Sequence, residues 1–132
     1  MNDLRDDSVD WRKLREFADV DLTQSYVLSW RVEADTLFVD IDLLLLETHP
    51  FYEQPRPAEK VCIRPAVIEF PHCDTMSATG IPGAKVVDIA DKISHGPIRS
   101  LRRLSSGQYE MDGEFGTVWI DAERPILRLK GL

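Results

Sequence analysis

The chain has 132 residues, of which 43% are hydrophobic and 30% charged, and its formal net charge at pH 7 is −7. This length predicts a single domain over residues 1–132, and this composition argues against a disordered chain. The excess of 23 acidic over 16 basic residues argues against general nucleic-acid binding, which needs cations to displace phosphate counterions. We expect an N-terminal helical segment over residues 1–20 and a β-rich body over residues 21–132.

The first residues are acidic and polar, whereas a secretory signal begins with a basic stretch followed by an apolar run. The longest apolar run, residues 43–46, is far shorter than the roughly 20 residues that span a bilayer. Two cysteines, Cys62 and Cys73, do not make the disulfide framework typical of small secreted domains. We therefore predict a cytoplasmic protein with reduced thiols and no membrane segment.

An amphipathic helix is predicted at residues 9–18. Apolar residues recur there at three-residue spacing, as Trp11, Leu14 and Phe17, while charged residues occupy the positions between them. This helix would cover one face or one open end of the β-rich body.

Two alternating segments, residues 25–33 and 36–47, predict an antiparallel hairpin around a turn at Ala34-Asp35. In this register the apolar residues of both strands face each other. The predicted pairs are Val32–Leu37, Trp30–Val39, Leu28–Ile41 and Tyr26–Leu43. On the opposite face, Asp40 would lie opposite Ser29 and diagonal to Arg31.

Three prolines between residues 49 and 57 predict an extended loop after the hairpin. Residues 61–70 predict another strand, in which Pro65 indicates a sheet edge or a bulge because proline donates no ladder hydrogen bond. Residues 71–84 predict a loop. Residues 85–93 fit a short strand or a helical turn, and the segment after them fits an irregular strand or a short helix.

Residues 108–111 and 114–121 predict a hairpin around Asp112-Gly113, a favoured type I′ turn pair. Residues 126–130 predict a last strand with both of its leucines on the buried face. The chain is thus predicted to be mainly β (α+β), with one N-terminal helix and an antiparallel meander of about six or seven strands. These strands would curl into a partial barrel or sandwich.

Asp40 and Asp42 share one face of a predicted strand, where paired carboxylates could act as acid and base or bind a hard cation. The plainer alternative is a solvated strand face neutralised by Arg31. Catalysis would require surroundings that separate the two pKa values, and the sequence does not indicate such surroundings.

A stretch without acidic residues holds four cations, Lys92, Arg99, Arg102 and Arg103, and it also contains His95. They could contact an anion or a partner. Alternatively they form a solvated basic face balanced by Asp88, Asp91 and the acidic C-terminal hairpin. Without interleaved aromatic residues they are weak candidates for nucleic-acid binding.

The proline-stiffened loop carries His49, Phe51 and Tyr52, and aromatic residues in a stiff loop are typical interface anchors. The alternative is that Phe51 or Tyr52 folds back to fill the core.

The histidines and cysteines lack the paired spacing of a zinc site, and we predict neither a metal nor a cofactor. His72-Cys73-Asp74 contains residue types used in nucleophilic catalysis, but consecutive loop residues rarely converge, and no nucleophile elbow is present. We predict no catalytic residues.

Residues 21–30, 37–45 and 113–120 cover about a fifth of the chain and resemble small β-rich bacterial domains of unassigned function, including immunity proteins of toxin systems. The resemblance rests on packing patterns and implies no site residues. An acidic single domain without catalytic features would suit an immunity protein, and it would equally suit many other adaptors.

We therefore predict a non-enzymatic protein-interaction domain with a protein partner. Residues 1–60 hold 14 acidic and 7 basic residues, and this acidic first half favours a basic partner. One alternative is a small-molecule binding protein or enzyme that uses the barrel mouth, with Asp40, Asp42 or the arginine stretch as polar groups. Another is self-association through an uncovered edge strand at Pro65 or residues 126–130.

Overall fold

The computed structural model describes residues 7–83 and 85–131, and these form nine antiparallel strands of one open sheet. The strands are β1 (Val9–Asp10), β2 (Val20–Glu33), β3 (Thr36–Leu45), β4 (Cys62–Phe70), β5 (Thr75–Ala78), β6 (Gly96–Arg103), β7 (Tyr109–Gly113), β8 (Gly116–Asp121) and β9 (Ile126–Leu129). Their order is β5-β8-β7-β6-β2-β3-β4-β9, with β1 beside β6. The mainly β prediction is confirmed, although the strands outnumber the six or seven expected. Among the described residues no helix is long and apolar enough to cross a membrane.

Two short connections bring the far ends of the sheet together. Residues 71–74 link β4 to β5, and residues 122–125 link β8 to β9. Four residues span at most roughly 14 Å, so the strands at opposite ends of the order must lie close in space. The Glu123 N–H donates to the Pro71 carbonyl at 2.9 Å and ties the two connections to each other. The sheet therefore folds back on itself, and its inner face becomes one buried hydrophobic cluster.

The predicted helix at residues 9–18 is wrong. Val9 and Asp10 pair with β6, and two 3-10 turns follow at Trp11–Lys13 and Arg15–Phe17, separated by an extended Leu14. The three apolar residues of the pattern are nevertheless buried. A three-residue spacing also matches the 3-10 turn, in which residues i and i+3 lie on the same side. The spacing identified the buried residues correctly and the type of helix incorrectly.

The hairpin of β2 and β3 turns at Ala34-Asp35, as predicted, and Ala34 adopts a φ of 55°. The pairs Val32–Leu37 and Trp30–Val39 are confirmed.

Beyond those two pairs the register of β2 shifts between Val27 and Ser29, so the two remaining predicted pairs are wrong. Val27 pairs with Ile41 and Tyr26 with Asp42. An extra residue in one strand reverses the faces of the residues on its far side from the turn, here Val27 and Tyr26. Leu28 and Tyr26 therefore point outward, and Val27 takes the buried position.

Pro65 marks neither an edge nor a bulge. It lies in β4, between β3 and β9, and the β3–β4 register runs without a shift from Leu37–Phe70 to Leu45–Cys62. The Lys130 N–H donates to the Pro65 carbonyl at 2.9 Å. Proline cannot return the second bond of such a pair, which explains why the pairing of β9 ends here.

The predicted loop at residues 71–84 contains a strand, β5, which pairs with β8. The segment that fitted a strand or a helix forms α1 (Val86–Ala90), and the segment after it forms β6.

The C-terminal hairpin exists, but its turn is displaced by two residues to Glu114-Phe115, and Gly113 pairs with Gly116. A Cβ on Gly113 would lie 2.4 Å from the Pro97 carbonyl oxygen and 2.5 Å from the Phe115 ring, so close packing requires this glycine. The positive φ falls instead on Gly116, at 95°. The last strand, β9, forms as predicted, with Leu127 and Leu129 packed against the core.

Candidate functional site

The outer face of β2 and β3 carries a buried carboxylate that holds four side chains together. Asp40 is 7% exposed and accepts hydrogen bonds from the Ser29 hydroxyl at 2.5 Å and from Arg31 Nε at 2.8 Å. Lys130, the residue that follows β9, places its Nζ 2.5 Å from Asp40 Oδ1. The predicted position of Asp40, opposite Ser29 and diagonal to Arg31, is confirmed. We call Ser29, Arg31, Asp40 and Lys130 the Asp40 network.

Burial pushes the pKa of Asp40 upward, but hydrogen bonds from Arg31, Lys130 and Ser29 outweigh burial and hold this pKa well below that of an ordinary carboxyl. The carboxylate is therefore ionised at neutral pH and is poorly suited to give or take a proton there. Both of its cations are engaged, and Arg31 also pairs with Glu33 and lies over the Phe38 ring. The Asp40 network is thus well explained as a structural clamp that joins β2, β3 and the segment after β9.

Asp42, two residues along the same strand face, has a different environment. Its side chain is half-buried, and among the described residues this side chain forms neither a hydrogen bond nor an ion pair. Its neighbours across the sheet are Tyr26 on β2 and Pro65 on β4, and Tyr26 is in turn opposite Pro97 on β6. The structure therefore separates the two predicted carboxylates into one that is fully paired and one that is not.

Two large apolar side chains border this unpaired carboxylate. Tyr26 is 46% exposed, and the bulge residue Leu28 is 41% exposed. Pro65 and Pro97 are also exposed on either side. We call Tyr26, Leu28, Asp42, Pro65 and Pro97 the Tyr26 face. Of these residues only Asp42 was predicted as a site residue, because the outward direction of Tyr26 and Leu28 depends on a bulge that the alternation of the sequence hides.

In the aromatic loop, one aromatic residue packs against the core and another stays exposed, so each of the two stated alternatives holds for one residue. Tyr52 folds back and packs against the core, whereas Phe51 remains 51% exposed with its ring centroid 5.9 Å from that of His49. Phe51 and Tyr52 line a cavity of about 240 Å³ together with residues that include Arg64, Leu129 and Lys130. Because Lys130 also contacts Asp40, the aromatic loop and the Asp40 network adjoin at this residue.

The arginine stretch is neutralised in part. Arg99 Nε lies 3.2 Å from Asp112, and Arg102 Nε lies 2.9 Å from Glu110, so both partners come from β7 of the acidic hairpin. No ion pair joins these arginines to Asp88 or Asp91 within residues 7–83 and 85–131. Arg103 differs, because no described carboxylate lies within ion-pair distance of it, and it lines a cavity of about 470 Å³.

The cysteine and histidine residues do not converge. Cys62 and Cys73 are both free and buried. Burial, together with the charges of Asp121 and Asp74, raises the pKa of Cys73 to about 11, so its thiol is protonated at neutral pH. His72 points to solvent with its Nδ1 2.8 Å from Asp35. Groups of three or more potential metal-ligating side chains are absent from the described parts of the chain.

Comparison of the chain with protein-family models, with curated proteins and with solved structures finds no match.

Proposed function

We propose that this chain is a non-enzymatic protein-binding domain whose partner docks on the Tyr26 face. The observation that carries the proposal is the exposure of Tyr26 directly opposite the unpaired carboxylate of Asp42, with Leu28 also exposed two residues further along β2. Tyrosine is enriched in interface cores and among the residues that dominate binding energy. The flanking prolines belong to β4 and β6, so the surface is rigid and loses little entropy when it is covered.

The chemistry of the Tyr26 face favours a basic partner. When a docked protein removes water from Asp42, the carboxylate needs a new partner, because an uncompensated buried charge is costly. An arginine or lysine of the partner could pair with Asp42 while its cation lies over the Tyr26 ring. The net charge of −7 would also steer a basic protein towards this chain.

The Asp40 network supports the same assignment from the neighbouring position. Its cations, Arg31 and Lys130, are held by Asp40, so they repel an approaching basic side chain less than free cations would. An immunity protein of a toxin system is one biological role that fits, since such a protein acts by binding. The proposal covers that role and does not depend on it.

A quantitative pull-down from lysate of the source cells tests the proposal, with the purified chain as bait. The test variant carries Tyr26→Ser and Leu28→Ser. The matched control is Val87→Ser, because Val87 is 51% exposed on α1 and is not one of the residues of the Tyr26 face. We expect one protein that the wild type and the control recover in near-stoichiometric amount and the double variant does not.

Asp42→Asn is the second test variant, and it should weaken capture more at low salt than at moderate salt, because an ion pair is screened by salt. Equal recovery by all variants would place the interface elsewhere. Absence of any captured protein at either salt concentration would count against the protein-binding function itself.

A further inference from the structure

A second cavity lies away from the Tyr26 face, between the β6–β7 turn and the two connections that tie the ends of the sheet together. Its volume is about 470 Å³, within the range of small-molecule sites. Tyr109 lines it and is 1% exposed, and its ring is held by Phe70 with 5.6 Å between the centroids. The other lining residues are Pro71, Arg103, Gly107, Ala122, Glu123, Arg124 and Ile126.

Some of the charged side chains at this cavity have a partner of opposite charge, and one does not. Arg124 Nε lies 3.0 Å from Glu16, and Glu123 lies 3.8 Å from His72 Nε2. Arg103 is exposed and has no described carboxylate within ion-pair distance. It is therefore the cation at this cavity that remains available to an anion.

Tyr109 supplies a second donor beside Arg103. Burial raises the pKa of Tyr109, while the charge of Arg103, its cross-strand neighbour, acts in the opposite direction. A guanidinium can only donate hydrogen bonds, so a phenol beside it keeps its own proton for another acceptor. Arg103 and Tyr109 together present an N–H donor and an O–H donor from adjacent positions on β6 and β7.

We propose that this cavity binds a small molecule through a carboxylate or phosphate group, with Arg103 and the Tyr109 hydroxyl donating hydrogen bonds to its oxygens. Glu123 lines the same cavity and opposes the anion, so its charge should lower the affinity. The proposal rests on residues outside the Tyr26 face and stands or falls independently of protein binding there.

The test is a titration of the isotope-labelled protein with inorganic phosphate and, separately, with acetate, at constant ionic strength. The shifts of the amide NMR signals report binding. We expect saturable shifts confined to Gly107, Tyr109 and the 122–124 connection. Binding of phosphate alone or of acetate alone would identify which of the two groups the cavity prefers.

Four variants make the test specific. Arg103→Gln should weaken binding about tenfold, since one hydrogen bond to a charged group is lost, and Tyr109→Phe should weaken it severalfold. Glu123→Gln should strengthen binding. Arg99→Gln is the matched control from the same stretch and should leave binding unchanged, because Arg99 is engaged by Asp112. Shifts that fail to saturate with both anions, or that respond equally to Arg99→Gln and Arg103→Gln, would overturn the proposal.

Discussion

The outer surfaces of two parts of the sheet, β6–β8 and β2–β3, differ in how completely their charged side chains are paired. On β6, β7 and β8 the polar side chains pair across neighbouring strands. Glu110 accepts from Arg102 and, at 2.9 Å, from Trp119 Nε1, while Asp112 accepts from Arg99 and Thr117.

On β2 and β3 the Asp40 network is equally well paired, but Asp42 beside it is not, and its neighbours are exposed apolar residues. The comparison shows that a run of charges along a strand is usually explained by cross-strand pairing. Exposed side chains that have no such cross-strand partner are the better candidates for binding. Here these side chains form the Tyr26 face.

The largest expected effect on stability comes from Asp40→Asn. The substitution keeps the side-chain volume and removes the charge that Arg31 and Lys130 share, so we expect a loss of about 2 kcal/mol in the free energy of unfolding. Asp42→Asn is the matched control two residues away, and it should cost almost nothing because no described group depends on that charge. Urea denaturation of the two variants and the wild type measures both. A similar loss in both variants would contradict the distinction between the two carboxylates.

The second prediction concerns pH. A carboxyl whose pKa is lower in the folded than in the unfolded state adds stability above its unfolded pKa of about 3.9, and this contribution disappears as the pH falls through the folded value. The pKa of Asp40 is lowered in the fold. The stability difference between the wild type and Asp40→Asn should therefore be constant from neutral pH to about pH 5 and shrink below about pH 4. A difference that stays constant in acid would show that Asp40 acts through its shape rather than its charge.

A smaller effect is expected on the other half of the sheet. Glu110→Gln keeps one oxygen for Trp119 and loses the charge that faces Arg102, so we expect a loss of about 1 kcal/mol. The ion pair between Arg99 and Asp112 is more exposed, and Asp112→Asn should cost less than about 1 kcal/mol. Thermal unfolding of the two variants at low and moderate salt measures the two losses of stability. The opposite order of the two variants would contradict the pairing described for β7.

The smallest expected effect on stability belongs to the Tyr26 face. Tyr26→Ser and Leu28→Ser remove side chains that are nearly half exposed, so each should change the free energy of unfolding by no more than about 0.5 kcal/mol. A loss well above that value in urea denaturation would assign these residues to the support of the fold instead of to binding.

The sequence predicted those features that depend on regular alternation. The turn at Ala34-Asp35, the strands β3, β4 and β9, and the contact between Ser29 and Asp40 all follow from period-two patterns or from pairing in register. Prediction from the sequence failed where one extra residue shifts the alternation of inward and outward side chains. The bulge at Leu28 turned Tyr26 outward, and no local pattern marks a bulge whose extra residue is itself apolar.

Close packing accounts for a second kind of failure. Gly113 resembles a turn residue, yet it is required because Phe115 and the Pro97 carbonyl leave no room for a Cβ. Likewise, the cavity beside Arg103 depends on the approach of two connections from opposite ends of the sheet, which only the folded chain brings together. The predictions of cytoplasmic location, of a single domain and of likeness to immunity proteins stay predictions.

The most direct test of the central claim is site-specific photo-crosslinking in the source cells. A photoreactive phenylalanine analogue replaces Tyr26 in one variant and Trp119, on the other half of the sheet, in a second. Docking on the Tyr26 face predicts one discrete covalent adduct from position 26 and none from position 119. An adduct from position 119 alone, equal adducts from both positions, or none from position 26 would contradict the account.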